Sequence, residues 1–296
     1  MDETTGRADV LDTEVEGLAD TKPEPMIDPT LIEENMQQVP MLRAAQLSDV
    51  GAIRKRNEDS CLVFSSESGG HFPLMPFGLY IVADGMGGHE SGHLASKGAS
   101  RAAANHILEE VYLPLLTADD PPAKDVIEKI MEDAVQTAHE AIYNPDPAKD
   151  GGTTLTMALI IGQDLHVAHV GDSRAYCLVD GNLKAISTDH SLVQRMQDEG
   201  QLTAEEAQHY QYRNVLLRAL GQENKLEVDT YHYSLPSSGK LLLCSDGLCG
   251  LVMDPDLQKI MNQTISPHRI VKQLIAAAMK AGGYDNITAV VVEFSY

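Results

Sequence analysis

The chain is short of positive charge. Its 22 Lys and Arg stand against 44 Asp and Glu, a formal net charge of −22. Such a surface repels phosphates instead of releasing their counterions, which argues against nucleic-acid binding. No run approaches the roughly 18 uninterrupted apolar residues of a membrane span, so no membrane association is expected. The opening stretch, MDETTGRADV, is acidic and lacks the apolar core of a secretory signal. A cytoplasmic protein is therefore expected. Cysteine is scarce too. Cys61, Cys177, Cys244 and Cys249 form no Cys-x-x-Cys pair, which disfavours zinc, and the first three lie in apolar runs where buried thiols are expected. No Gly-x-x-x-x-Gly-Lys-Ser/Thr loop occurs, so nucleotide binding of that kind is unsupported. No Gly-x-Ser-x-Gly elbow occurs, which disfavours a serine hydrolase.

What is present suffices for a sizeable core. A chain of 296 residues with 43% hydrophobic content can bury roughly 75% of its unfolded surface without a disulfide or metal. Residues 1–40 stand apart: acids dominate, and Pro23, Pro25 and Pro29 interrupt any helix. That composition predicts a disordered tail, followed by one domain over residues 41–296. Strands are predicted at 41–48, 60–64, 79–83, 153–161, 165–170, 175–179, 183–186, 226–233, 240–245 and 287–294. Helices are predicted at 91–112, with Leu94 on its apolar face, at 124–143, with Val126 on its apolar face, and at 256–263 and 267–281, the last with Ser266 as N-cap and Pro267 first. Asp180-Gly181 reads as a hairpin turn. A polar helical insert opens at Asp189-His190-Ser191 and reads as a surface flap, about residues 190–218. Strands, two helices, strands and two helices suggest a layered sandwich more than a βαβ wheel.

Acids recur at strand ends. Asp84-Gly85 closes the apolar run Leu79 to Ala83, and Asp246 follows Leu241 to Leu243. Asp172 follows Leu165 to Val170, Asp285 precedes Ile287, and Glu58-Asp59 precede Cys61. These hard oxygen donors suit Mg²⁺ or Mn²⁺. Crowded without a cation they would repel one another. A pair of such ions clamps a phosphate and activates water toward phosphorus. Arg54, just upstream of Glu58-Asp59, offers a bidentate phosphate fork.

Seven segments now form a pattern: Arg54-x-x-Asn57-Glu58-Asp59, Asp84-Gly85-Met86-Gly87-Gly88-His89, Gly151-Gly152-Thr153-Thr154, Val170-Gly171-Asp172-Ser173-Arg174, Asp189-His190-Ser191, Ser245-Asp246-Gly247 and Asp285-Asn286-Ile287-Thr288. In order, they resemble the metal-dependent serine/threonine protein phosphatases of type 2C, compact bacterial branch, from about Ala44 onward. The resemblance implies an α+β fold, a four-layer α-β-β-α sandwich with two central antiparallel sheets and a helical flap insert. It implies two Mn²⁺ or Mg²⁺ ions, with a third as an option. Asp84 would bridge two metals and the Gly85 carbonyl would ligate the second. Asp246 and Asp285 would complete the shell of the first metal. Glu58 would support the second metal through water, and Asp59 would lie near the metal-bound waters. Asp172, with Asp246, matches a third-metal site. Arg54 takes the phosphate-binding position, and Lys55 and Arg56 do not. The substrates would be phosphoserine and phosphothreonine proteins, including an opposing serine/threonine kinase as partner, with the enzyme acting as a monomer.

One position departs from animal relatives, where a histidine follows the first Asp-Gly. Here it is Met86, whose thioether cannot donate a proton. A metal-bound water is then the first choice of general acid, with His89 or His190 second. Two other readings remain: an inactive phosphoprotein-binding module, which would need a missing ligand, and a metal-stabilised structural domain, which leaves Arg54 without a role.

Overall fold

A strand covered on both faces reads as an unbroken apolar run, and the order of its side chains then states which layer each face meets. In β3 (Phe77–Ala83), Leu79, Ile81 and Ala83 join one core cluster while Tyr80 and Val82 join another. In β12 (Ile287–Ser295), Ile287, Ala289 and Val291 face a helical layer while Val290, Val292 and Phe294 face the opposite sheet. The computed structural model describes residues 40–67, 75–87, 91–118, 120–144, 151–208, 210–222 and 226–296. Pro40–Tyr296 pack as one unit. The tail expected over residues 1–40 lies, but for Pro40, outside the described residues.

Two five-stranded antiparallel sheets result. One runs β1-β12-β11-β8-β9, with β1 Met41–Asp49, β8 Arg174–Val179, β9 Asn182–Ala185 and β11 Ser238–Cys244. The other runs β10-β7-β6-β3-β2, with β2 Ser60–Ser66, β6 Leu155–Ile161, β7 Asp164–Val170 and β10 Asp229–Ser234. A short ribbon pairs β4 (Gly85–Gly87) with β5 (Gly151–Thr153). Helices α1 (Ser91–Ile107) and α2 (Lys124–Ile142) cover the second sheet. The first sheet is covered by α5 (Asp246–Cys249), α6 (Asp254–Met261) and α7 (Pro267–Lys280). Between β9 and β10 lie the short flap helices α3 (Leu192–Asp198) and α4 (Ala204–Gln208). The expected four-layer sandwich is the observed one. No helix among the described residues is long and apolar enough to cross a membrane.

Local departures have local causes. The helix expected over 91–112 stops its α pattern at Ile107, then widens into a π-turn over Leu108–Tyr112. Pro114 follows, and its ring would crowd the carbonyl four residues back in a regular helix. Leu94 and Val126, expected on apolar faces, point outward at 60% and 46% exposure. Leu226 is buried, but β10 begins only at Asp229. Ser266 stands at the N-cap of α7 without a capping side-chain bond. Asp180 and Gly181 both take positive φ (49° and 79°), as the tight hairpin between β8 and β9 requires. All four cysteines are free thiols, and burial pushes Cys61 and Cys177 up to about 11.

Leu243 lies between the sheets at 0% exposure. Leu243→Ala is expected to cost about 2–5 kcal/mol in chemical denaturation. Val126→Ala, on the outer face of α2, should stay within about 0.5 kcal/mol.

Candidate active site

The strand ends deliver the acids. Asp84 follows β3, and its backbone is clamped from three directions. Its N–H donates to Thr154 Oγ1 at 2.9 Å, and its carbonyl accepts from Thr153 Oγ1 and from the Thr154 N–H, each at 2.9 Å. Thr154 in turn meets Ser173 Oγ at 2.8 Å. Asp246 opens α5 directly after β11 and Ser245. Asp285 precedes β12, Asp59 precedes β2, and Asp172 lies in the β7–β8 turn. Asp59, Asp172 and Asp246 act electrostatically on Asp84, Asp246 acts on Asp59 and Asp172, and Asp285 acts on Asp59 and Asp246. The charge of Asp246 is among the causes that raise Asp84.

Their protonation is far from ordinary. Loss of hydration, reinforced by neighbouring carboxylates, raises Asp84 and Asp172 well above the usual carboxylate range and raises Asp246. These three keep some residue surface open to solvent, yet protein crowds their carboxyls enough that desolvation is the largest cause. Asp59 is buried and pushed up to about 7 by the same effect, opposed by hydrogen bonds from Thr288 and Ser245.

A ring of neutral side chains fixes this cluster. Ser245 Oγ donates to Asp59 Oδ2 at 2.7 Å and accepts from the Thr288 N–H at 3.0 Å. The Glu58 N–H donates to Asn286 Oδ1 at 2.8 Å, while Asn286 Nδ2 donates to the carbonyls of Val50 (3.0 Å) and Arg56 (2.9 Å). Asn286 thus ties the Arg54-to-Asp59 segment to the start of β12. The Glu58 carbonyl accepts from Ser96 Oγ at 2.5 Å and from the Gly85 N–H at 3.2 Å. Gly85, in β4, has no room for a side chain against the Glu58 and Gly92 carbonyls. Asn57, Asn286 and Ser245 stood in the quoted motifs without a role. The structure gives each of them one, Asn57 by donating to Ser48 Oγ at 2.7 Å, and no spacing rule announces it, because the partners lie up to 236 positions away.

Arg54 has a partner that the sequence did not predict. Its Nη2 lies 2.6 Å from Asp285 Oδ2, and that hydrogen bond raises the guanidinium's pKa. Lys55 and Arg56 face solvent beside it. Met86 accepts from Gln222 Nε2 at 3.4 Å through its sulfur. His89 lies outside the described residues. His190 is not free to act as an acid. Its Nδ1 accepts from the Gly171 N–H at 3.2 Å, so its proton sits on Nε2, 3.2 Å from Asp229 Oδ2. Its side chain is 7% exposed. His190 therefore ties the base of the flap to the turn that carries Asp172. Arg218 adds a 2.8 Å bond to Asp229, and Arg174 pairs with Asp189 through two bonds of 2.8 and 2.7 Å.

Among the described residues, no three Asp, Glu, His or Cys side chains are grouped so that they could hold a metal ion as they stand. Arg54 holds Asp285. The donors nevertheless fit a hard divalent cation. Asp59 Oδ1 and Asp246 Oδ1 are buried without a hydrogen-bond partner, and the surrounding donors are all oxygen. Unpaired buried carboxylate oxygens are costly, and a cation would satisfy them.

A family profile described as Protein phosphatase 2C matches residues 54–280. The chain is 36% identical over 250 residues to the serine/threonine phosphatase stp of Listeria monocytogenes, covering 83% of this chain and 93% of that protein. Among solved structures it resembles the Mycobacterium tuberculosis serine/threonine phosphatase PstP/Ppp, with TM-score 0.72, 34% identity, and coverage of 86% of this chain and 99% of that one. It also resembles the catalytic domain of PstP in complex with two manganese ions, with TM-score 0.70, 33% identity, and coverage of 87% and 100%.

The charge cluster should be visible in stability. A carboxyl raised in the folded state stabilises while protonated and loses that contribution as pH climbs through its folded pKa. For Asp59 the window runs from about 3.8 to about 7, and Asp84 acts in the same direction. In chelator, Asp84→Asn should therefore melt above wild type by several degrees at pH 8, at about 2–4 °C per kcal/mol. The gap should shrink toward pH 5, as differential scanning calorimetry would report. A variant that melts below wild type at pH 8 would refute mutual repulsion.

Proposed function

The chain belongs to the protein phosphatase 2C family and is a metal-dependent protein serine/threonine phosphatase, and from that premise we propose which of its residues carry the reaction. Asp84, Asp246 and Asp285, with Asp172, Glu58 and the Gly85 carbonyl, would hold Mn²⁺ or Mg²⁺. When bound, such ions act as Lewis acids on the phosphoryl oxygens and make water a stronger nucleophile. The observation that carries this reading is the group of desolvated carboxyls, two of them with unpartnered buried oxygens, beside a guanidinium.

The protein's own groups do the rest. Arg54 leaves Asp285 for the substrate phosphate and presents planar N–H donors that fix its orientation. Asp59 is held at Oδ2 by Ser245, which leaves Oδ1 to accept a hydrogen bond from the attacking water. The leaving alkoxide takes its proton from water, since Met86 has none to give and both ring nitrogens of His190 are engaged. Thr153 and Ser173 are bound into the frame around Asp84 and are not nucleophiles, so no covalent intermediate forms. Phosphorylated proteins are the substrates, and a serine/threonine kinase is the opposing activity we propose.

Hydrolysis of p-nitrophenyl phosphate should require Mn²⁺ and stop with chelator. Asp84→Asn should lower kcat by about 10²–10³. Arg54→Ala should raise KM about 10- to 100-fold, the worth of a charged hydrogen bond. A large fall in kcat with KM unchanged would remove Arg54 from phosphate binding.

A further inference from the structure

The two most exposed large apolar side chains among the described residues are Ile53, at 66%, and Tyr284, at 62%. Each stands one residue before a member of the Arg54–Asp285 pair. The loops that carry them are in backbone contact. The Ala52 N–H donates to the Gly283 carbonyl at 2.7 Å, and Gly51 has no room for a side chain against the Asp285 and Gly283 carbonyls. The Tyr284 ring lies over Gly282, where any side chain would collide with it. The ring is thus supported in an exposed position. Val50, at 36% exposure, continues the surface on the first loop, and Met279, at 37%, lies beside Gly283 on the second. Exposed apolar residues scattered singly need no explanation, but a group bordering a functional site does.

We propose that Ile53 and Tyr284 form an apolar shelf that receives an apolar side chain flanking the phosphorylated residue of a peptide substrate. This rests on the phosphatase reading above. With the phosphate on Arg54, the residues on either side of it lie within one or two Cα spacings of about 3.8 Å, and the shelf borders Arg54 on the same loop. The shelf is continuous with the phosphate anchor through the Ala52–Gly283 bond. Charge supports the same occupant. In a chain of net charge −22, Arg54, Lys55 and Arg56 form an exposed cationic run at this edge, which attracts an anionic phosphopeptide. Specificity would then be set by the phosphate at Arg54 and one greasy neighbour, with the rest of the peptide free.

The test compares two phosphothreonine peptides that differ only at the flanking positions, Leu in one and Asn in the other, with Mn²⁺ present. Wild type should favour the Leu peptide about tenfold in kcat/KM, or about 1.4 kcal/mol. Ile53→Ser/Tyr284→Ser should bring the ratio of the two peptides to near one, and each single variant should give an intermediate ratio. Because the readout is a ratio within one enzyme, a general loss of activity does not mimic the result. Equal rates in wild type, or a preference that survives the double variant, would overturn the shelf. A self-association that the double variant abolishes while the ratio stays fixed would assign these residues to contact between two copies instead, and would also overturn it. If wild type hydrolyses neither peptide nor p-nitrophenyl phosphate, the phosphatase reading itself falls.

Discussion

Carboxylates that repel each other are the constraint around which this molecule is built. Asp59, Asp84, Asp172, Asp246 and Asp285 come from five separate segments, and the first four are crowded where water solvates them poorly. Nothing local favours that arrangement. It persists because the sheets that carry these residues are held by an apolar interior on both faces, a stabilising term that grows with buried area and is indifferent to what happens at the strand ends. The sandwich supplies the rigidity, and the acids sit at its rim.

Rigidity at the rim is achieved with uncharged side chains. Asn286 fastens the Arg54-to-Asp59 segment, Ser245, itself held by the Thr288 N–H, binds one oxygen of Asp59, and Thr153 with Thr154 fixes Asp84. Neutral donors can orient a carboxylate without neutralising it. A lysine or arginine in their place would compensate the negative charge and remove the incentive to bind a cation. Arg54 is the instructive exception. It satisfies Asp285 through a pair that is about half exposed on the arginine side, and a surface pair of this kind is weak enough to exchange for a better partner.

Much of this was legible in the sequence, and the limits have physical reasons. Runs such as Leu79 to Ala83 and Ile287 to Val292 announced strands because both their faces are buried. Acids at their ends announced the carboxylate cluster because an acid there has few other reasons to recur. The Arg54–Asp285 bond was not legible, since partners 231 positions apart leave no periodic trace. The ribbon of Gly85–Gly87 with Gly151–Thr153 was hidden too, because glycine carries no side-chain pattern from which to read a strand. Leu94 and Val126 were placed on the wrong face for a simple reason. An apolar residue next to a genuine core position is indistinguishable from one in it until the helix is seated.

The place of β12 has a consequence for how the protein comes into being. It lies inside its sheet, between β1 and β11, and pairs with β1 along the whole of Met41 to Asp49. A nascent chain emerging from the ribosome can form β1 early, but it has no neighbour for that strand until residues 287–295 arrive. Asp285 and Asn286 arrive with them. A truncated translation product would therefore hold most of the acids yet could neither close the sheet nor draw them together. Closing the fold and completing the acid cluster are one late event.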